Sequence, residues 1–152
     1  MRTRRALLAH STRLAALLAA AGLLPPAAQA AWNAAAFEAR TLPELARLLG
    51  TAAPAESREV SLGAPEVAEN GAAVPVVLGS TLPGLRRLLL LVEKNTTPLA
   101  AIFEVGEAVE PQLTTRVKMG QSSDVYAVAV TADNRLLFTR REVKVTLGGC
   151  GG

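Results

Sequence analysis

A single cysteine close to the chain end is the residue best placed to do chemistry. Cys150 stands between Gly148-Gly149 and Gly151-Gly152, directly after Val145-Thr146-Leu147. A structural cysteine is usually buried among apolar neighbours. This one has two glycines on each side, and glycine leaves the backbone its greatest freedom. Chain ends are poorly ordered unless something ties them down. The pattern therefore predicts an arm, residues 148–152, that carries one accessible thiol. From Leu147 to Cys150 an extended chain spans roughly 10 Å, so a thin tether could enter a narrow active site that a folded surface cannot. The chemistry expected is covalent attachment of a cargo to sulfur.

The thiol gains little from its own neighbours. No Lys, Arg or His lies within five residues, and the terminal carboxylate of Gly152 is near. Negative charge disfavours a thiolate. At a reference pKa of about 8.5, only a few per cent is ionised near neutral pH. Activation is therefore expected from whatever enzyme receives the arm, and the chain reads as a carrier, not an enzyme. His10 is the only histidine and lies in the N-terminal stretch, so residues 31–152 offer no Ser-His or Cys-His pair and few zinc ligands. No acid/base carboxylate couple and no phosphate-binding glycine loop stands out. Glu69 and the pairs Arg86-Arg87 and Arg140-Arg141 read as solvated charges, with an anion-steering patch as the alternative for the arginines.

Export shapes the rest of the reading. Arg2, Arg4 and Arg5 precede an apolar run over residues 14–24; Pro25-Pro26 ends it, and Ala28-Gln29-Ala30 is a small-x-small cleavage site. These are the regions of a signal peptide over residues 1–30. Eleven apolar residues fall short of the roughly 20 that span a bilayer, so no membrane anchor is expected. Thr3-Arg4-Arg5-Ala6-Leu7-Leu8 resembles a twin-arginine signal, the alternative being a general secretory signal. The net charge of +3 belongs to this segment: taking those three arginines and Arg13 from 16 basic residues leaves 12 against 13 acidic ones. That balance gives no basic surface for nucleic acid.

The elements that must position the thiol are mostly strands. Residues 31–57 read as a helical segment and linker. Thr41-Leu42-Pro43-Glu44 is a capping box, leucines 42, 45, 48 and 49 recur at helical spacing, and Gly50 stops the helix. Trp32, Ala36 and Phe37 add a shorter turn, and residues 51–57 form the linker. From 58 to 147 the pattern is β. Short strands are expected over 58–62, 64–69, 72–78, 85–94, 99–104, 112–119, 125–130 and 136–147. Asn70-Gly71 reads as a hairpin turn, Pro75 as an edge or bulge signal, Leu88 to Val92 as a strand covered on both faces, and Arg140-Arg141 as a bulge. The expected fold is an immunoglobulin-like antiparallel β-sandwich with a short N-terminal helical segment and a flexible C-terminal arm.

Four stretches stand together: the arm Gly148-Gly149-Cys150-Gly151-Gly152, residues 64–76, Val92-Glu93-Lys94-Asn95 and residues 115–119. With the twin-arginine-like start in agreement, they resemble the SoxY family of the thiosulfate-oxidising Sox system. The resemblance implies a periplasmic protein that forms a heterodimer with a SoxZ-like β-sandwich subunit, and disulfide-linked dimers of such heterodimers are within its scope. It implies no cofactor of the chain's own, only sulfur species held covalently on Cys150. A c-type cytochrome (SoxAX-like) would attach the sulfur, a hydrolase (SoxB-like) would release sulfate, and in some organisms a molybdenum dehydrogenase (SoxCD-like) would oxidise what remains. Two other readings stay open: a β-grasp-type sulfur carrier acting through the carboxylate of Gly152, and a non-catalytic exported β-sandwich interaction module. If the thiol is passive, its alkylation rate should follow an ordinary thiol titration near pH 8.5; an inflection well below pH 7 would overturn that.

Overall fold

The computed structural model describes residues 34–148, together with Ala16. The rest of residues 1–30, where a signal peptide is expected, Trp32 and the arm residues Gly149, Cys150, Gly151 and Gly152 lie outside the described residues.

From residue 34 the described chain forms a 3-10 turn, Ala34–Glu38, and then an α-helix, α1, Leu42–Leu49. The helix starts as the capping box predicts at its first bond: the Thr41 hydroxyl oxygen accepts from the Glu44 N–H at 3.3 Å. The return bond reaches one residue further back, since the Glu44 carboxylate accepts from the Arg40 N–H at 2.9 Å. Gly50 ends the helix in a left-handed conformation, φ 70°, that glycine adopts without strain.

Among the described residues nine strands follow: β1 Ala55–Glu56, β2 Val60–Gly63, β3 Val67–Ala68, β4 Val74–Ser80, β5 Leu85–Val92, β6 Leu99–Glu104, β7 Gln112–Val117, β8 Ser123–Thr131 and β9 Leu136–Val145. They make two sheets. The larger runs β1-β9-β8-β5-β6, with β3 also on β9; the smaller runs β2-β4-β7. The fold is the expected immunoglobulin-like β-sandwich, antiparallel except where β1 and β3 join β9 in parallel.

The apolar runs sort by face. Leu88, Leu90 and Val92 of β5 and Val125, Ala127 and Ala129 of β8 point into the sandwich, towards Val74, Val76 and Leu78 of β4. Leu89, Leu91, Val128 and Val130 point the other way, onto Ala36, Ala39, Leu45 and Ala46 of the helical segment. The run Leu88 to Val92 is therefore covered on both faces, as its composition predicts.

Three local expectations need correction. Asn70-Gly71 closes no hairpin: β3 pairs with β9 and β4 with β2 and β7, so the turn carries the chain from one sheet to the other. The Asn70 side chain makes that turn by accepting from the Ala72 N–H at 2.9 Å. Arg140-Arg141 marks no bulge, because the β8–β9 register is unbroken from Ser123↔Val143 to Val130↔Leu136. The pattern breaks there because the face bearing Leu136 and Phe138 runs out from under the helical layer at Arg140. Residues 51–57 are not a free linker, since β1 lies along Leu137 and Phe138 of β9.

Pro75 is accommodated more subtly. β4 is central only where β2 flanks it, from Val77 to Ser80, while Pro75 pairs with Arg116 of β7 alone. At that residue β4 is an edge, where a missing N–H breaks no ladder.

The helical layer is thus structural cover for the outer face of the sheet, and Leu45, fully buried, is its plug. Leu45→Ala is expected to cost about 2–5 kcal/mol, measured as a lower denaturant midpoint with an unchanged slope.

Candidate functional site

β9 delivers the chain to the arm, and what happens at its end decides where the arm begins. Val145 N–H donates to the Ser122 hydroxyl at 2.8 Å. Thr146 N–H donates to the Ala68 carbonyl at 3.1 Å, and its hydroxyl donates to the Glu69 carbonyl at 3.2 Å. The Leu147 carbonyl accepts from Gly71 N–H at 2.8 Å, and the Gly71 carbonyl in turn accepts from Met119 N–H at 2.7 Å. The last residues before the arm are therefore stitched by backbone bonds to both sheets' connections.

Gly148 closes this root. A β-carbon there would stand 2.5 Å from the Gly120 carbonyl oxygen and 3.4 Å from its carbon. That approach leaves room only for hydrogen, so Gly148 is required by packing as well as by any demand for freedom. Gly120 is held from the other side. Its N–H faces the Asn95 amide oxygen at 3.4 Å, while the Asn95 amide donates to the Lys118 carbonyl at 2.7 Å. Next to it, Lys94 N–H donates to the Ser123 hydroxyl at 3.0 Å.

Three internal stretches that carried the family resemblance, 64–76, 92–95 and 115–119, thus meet at one end of the sandwich, around Gly148. The structure brings Gly148 together with them; Gly149, Cys150, Gly151 and Gly152 lie outside the described residues. Sequence reasoning named Gly71 in a turn and Asn95 in a stretch of family resemblance without giving either a place at the root, and it missed Gly120 and Ser122. The available signal was weak: a glycine that faces another glycine marks a close approach only once the fold has paired them.

Glu69 contributes its backbone to the root, and its side chain is exposed. The arginine pairs do not gather into a patch. Arg87 pairs with Glu104 at 2.8 Å, Arg140 with Asp124 at 3.5 Å, and Arg141 donates to the Ala64 carbonyl at 2.9 Å. The interaction with Tyr126, followed by Asp124, raises the Arg140 pKa further above its usual value. Arg140 also lines a cleft of about 360 Å³ on the outer face, with Arg40, Glu93 and Tyr126. Asp133 sits in the β8–β9 turn, at the opposite end of that hairpin from the root. A hydrogen bond from the Thr131 hydroxyl lowers its pKa most, partial desolvation opposes this, and Arg135 lowers it further.

Among the described residues, no group of three or more His, Cys, Asp or Glu could hold a metal ion, and no helix is long and apolar enough to cross a membrane. The apolar side chains of Leu147 and Val67 are exposed by 65% and 51%. Val67 lies opposite Lys144 in the β3–β9 pair, so both border the root.

Comparison with known proteins gives one family. Residues 45–150 match the family described as "Sulfur oxidation protein SoxY". The solved structure of the sulfur carrier protein SoxY from Chlorobium limicola f thiosulfatophilum is 32% identical, with a TM-score of 0.60, over 68% of this chain and 93% of that one. A superoxide reductase (neelaredoxin) from Ignicoccus hospitalis, in a singly substituted form, aligns at 20% identity with a TM-score of 0.50, over 57% of this chain and 78% of that one. At that identity the likeness concerns the fold alone. No curated protein matches the chain.

The root makes a sharp contrast between two neighbouring glycines. Gly148→Ala is expected to push the chain off Gly120, lose the Gly71–Leu147 bond and cost about 1–2 kcal/mol. Faster hydrogen exchange of the Gly71 amide would report it. Gly120→Ala should be close to neutral, because a β-carbon there meets nothing within 4 Å.

Proposed function

The chain belongs to the SoxY family of sulfur oxidation proteins, and on that premise we propose that it carries the sulfur intermediates of thiosulfate oxidation as covalent adducts on Cys150. The family makes it a sulfur carrier of the Sox system. The observation that supports placing the cargo on the cysteine is the extent of the family match, which runs to residue 150 itself, two residues beyond a root fixed at Gly148.

The chemistry assigned to the chain is modest. The Cys150 thiol loses its proton and forms a disulfide bond to the outer sulfur of thiosulfate, and two electrons leave to a c-type cytochrome partner. A hydrolase then adds water across the terminal sulfur–sulfonate bond, which releases sulfate and a proton and leaves a persulfide on Cys150. The carrier holds the sulfur through both steps, and the partners supply the redox centre and the activated water. A dehydrogenase-type partner oxidises the remaining sulfane sulfur where the organism has one.

Reach sets how those partners must bind. Cys150 lies two residues past Gly148, at most about 7 Å of extended chain. An enzyme that takes the thiol into its active site therefore closes over the root, against the exposed side chains of Leu147 and Val67. The protein works in the periplasm after export through a twin-arginine signal in residues 1–30, paired with a SoxZ-like β-sandwich subunit.

Intact-mass measurement on protein purified from cells given thiosulfate should find sulfur-containing adducts on Cys150. Free thiol and simple dimer alone would overturn the proposal. Cys150→Ser should abolish thiosulfate-dependent electron transfer, an outcome that a plain interaction module does not produce. Removal of Gly151-Gly152 should leave adduct formation intact, whereas a carrier acting through its terminal carboxylate would be inactivated.

A further inference from the structure

The larger sheet treats its two edges differently. On the β9 side, β1 covers Leu137 and Phe138, β3 covers Lys144 and Val145, and the Arg141 side chain reaches across to the Ala64 carbonyl between them. On the opposite side lies β6, and among the described residues no strand pairs its outer side. Proteins usually blunt such an edge with lysine, proline, a bulge or a cover. β6 reads Leu-Ala-Ala-Ile-Phe-Glu; it has no lysine or proline, its ladder with β5 shifts register once, at Ala100 between the partners of Leu90 and Leu91, and its one charge, Glu104, is engaged by Arg87. Ala100 is exposed, and Ala101, Ile102 and Phe103 are half-buried.

A groove of about 410 Å³ runs beside this edge, between β6 and β7. Its floor includes the core residues Leu90 and Val117, and Arg116 and Lys118 stand on its wall with no carboxylate among the lining side chains. An apolar floor beside an unpaired backbone, with positive charge and no counter-charge, suits an extended strand that brings apolar side chains and a carboxylate. The groove also reaches Asn95, the residue that holds Gly120 against the arm root.

We infer that β6 and the groove beside it take up an extended strand of the partner subunit, added to the edge of the sheet with a carboxylate against Arg116 and Lys118. This rests on the pairing proposed above and assigns it a surface. Backbone bonding to β6 supplies the affinity and the groove supplies the selection.

Hydrogen exchange of the full chain, alone and saturated with the SoxZ-like subunit, tests the assignment. The outward-facing amides of residues 99–104, those not already bonded to β5, should gain protection only in the complex. Ala100→Lys and Arg116→Glu, both at exposed positions, should each weaken the complex about tenfold or more while leaving the melting temperature of the chain alone unchanged. A tight complex with no new protection over 99–104 and no effect of either variant overturns this surface and leaves the pairing intact. Absence of any complex removes the pairing itself, and this surface with it. Protection of those outward-facing amides already present in the chain alone assigns the edge elsewhere and overturns the inference: to a second copy if it rises with concentration, or to residues 1–33 if it vanishes on their removal.

Discussion

Leu89 and Leu91 leave β5 on one face, Leu88, Leu90 and Val92 leave it on the other, and all five are buried. A strand of this kind cannot sit in a sheet that has solvent on one side; each exposed leucine would forfeit about 1.5–3 kcal/mol. The smaller sheet covers the inner face and the helical segment the outer one. The placement of the proposed site hangs on that double cover. β8 is pinned beside β5, β9 is bonded to β8 in one unbroken register, and the end of β9 is the root of the arm. A thiol on a short tether can be offered reproducibly only if the tether's origin stays in place. The origin here is tied to the most deeply buried part of the molecule.

The sequence was most legible where one physical rule governed. The capping box at Thr41, the left-handed stop at Gly50, the alternation of Leu113, Thr115 and Val117, and the doubly buried β5 each follow from local pattern, and each is found. It was least legible where the partner of a segment lies far along the chain. Asn70-Gly71 has hairpin composition, but the strands it joins belong to different sheets, and nothing local encodes that choice. The polar stretch at Arg140 looked like a slipped phase because alternation was read without knowing where the helical cover ends. Pro75 signalled an edge correctly, yet only for the few residues where β4 lacks its second neighbour.

The glycines at the chain end show the same division. Composition suggests freedom for all of them. At Gly148 the geometry adds a second demand, since the Gly120 carbonyl occupies the space where a side chain would begin. A glycine chosen for close approach and a glycine chosen for freedom cannot be told apart by type. They differ in what stands opposite, and Gly120 lies 28 residues away in sequence. The practical effect is to shorten the tether. With Gly148 seated, two residues separate the proposed attachment point at Cys150 from a fixed position in the fold.

That seat joins the proposed docking groove to the proposed carrier end of the chain. Asn95 lines the groove beside β6 and also holds Gly120, and Gly120 limits Gly148. Only one side chain and one peptide unit separate a strand lying in the groove from the backbone on which the arm leans. Coupling over so short a path needs no long network. It requires only that the Asn95 amide keep both its bonds, to the Lys118 carbonyl and to the Gly120 N–H. An occupant that competed for either would loosen the Gly120 wall and free Gly148; one that left both intact would stiffen it. On the proposed roles, the amide geometry of Asn95 is therefore the point at which assembly with another chain and presentation of the thiol become one problem.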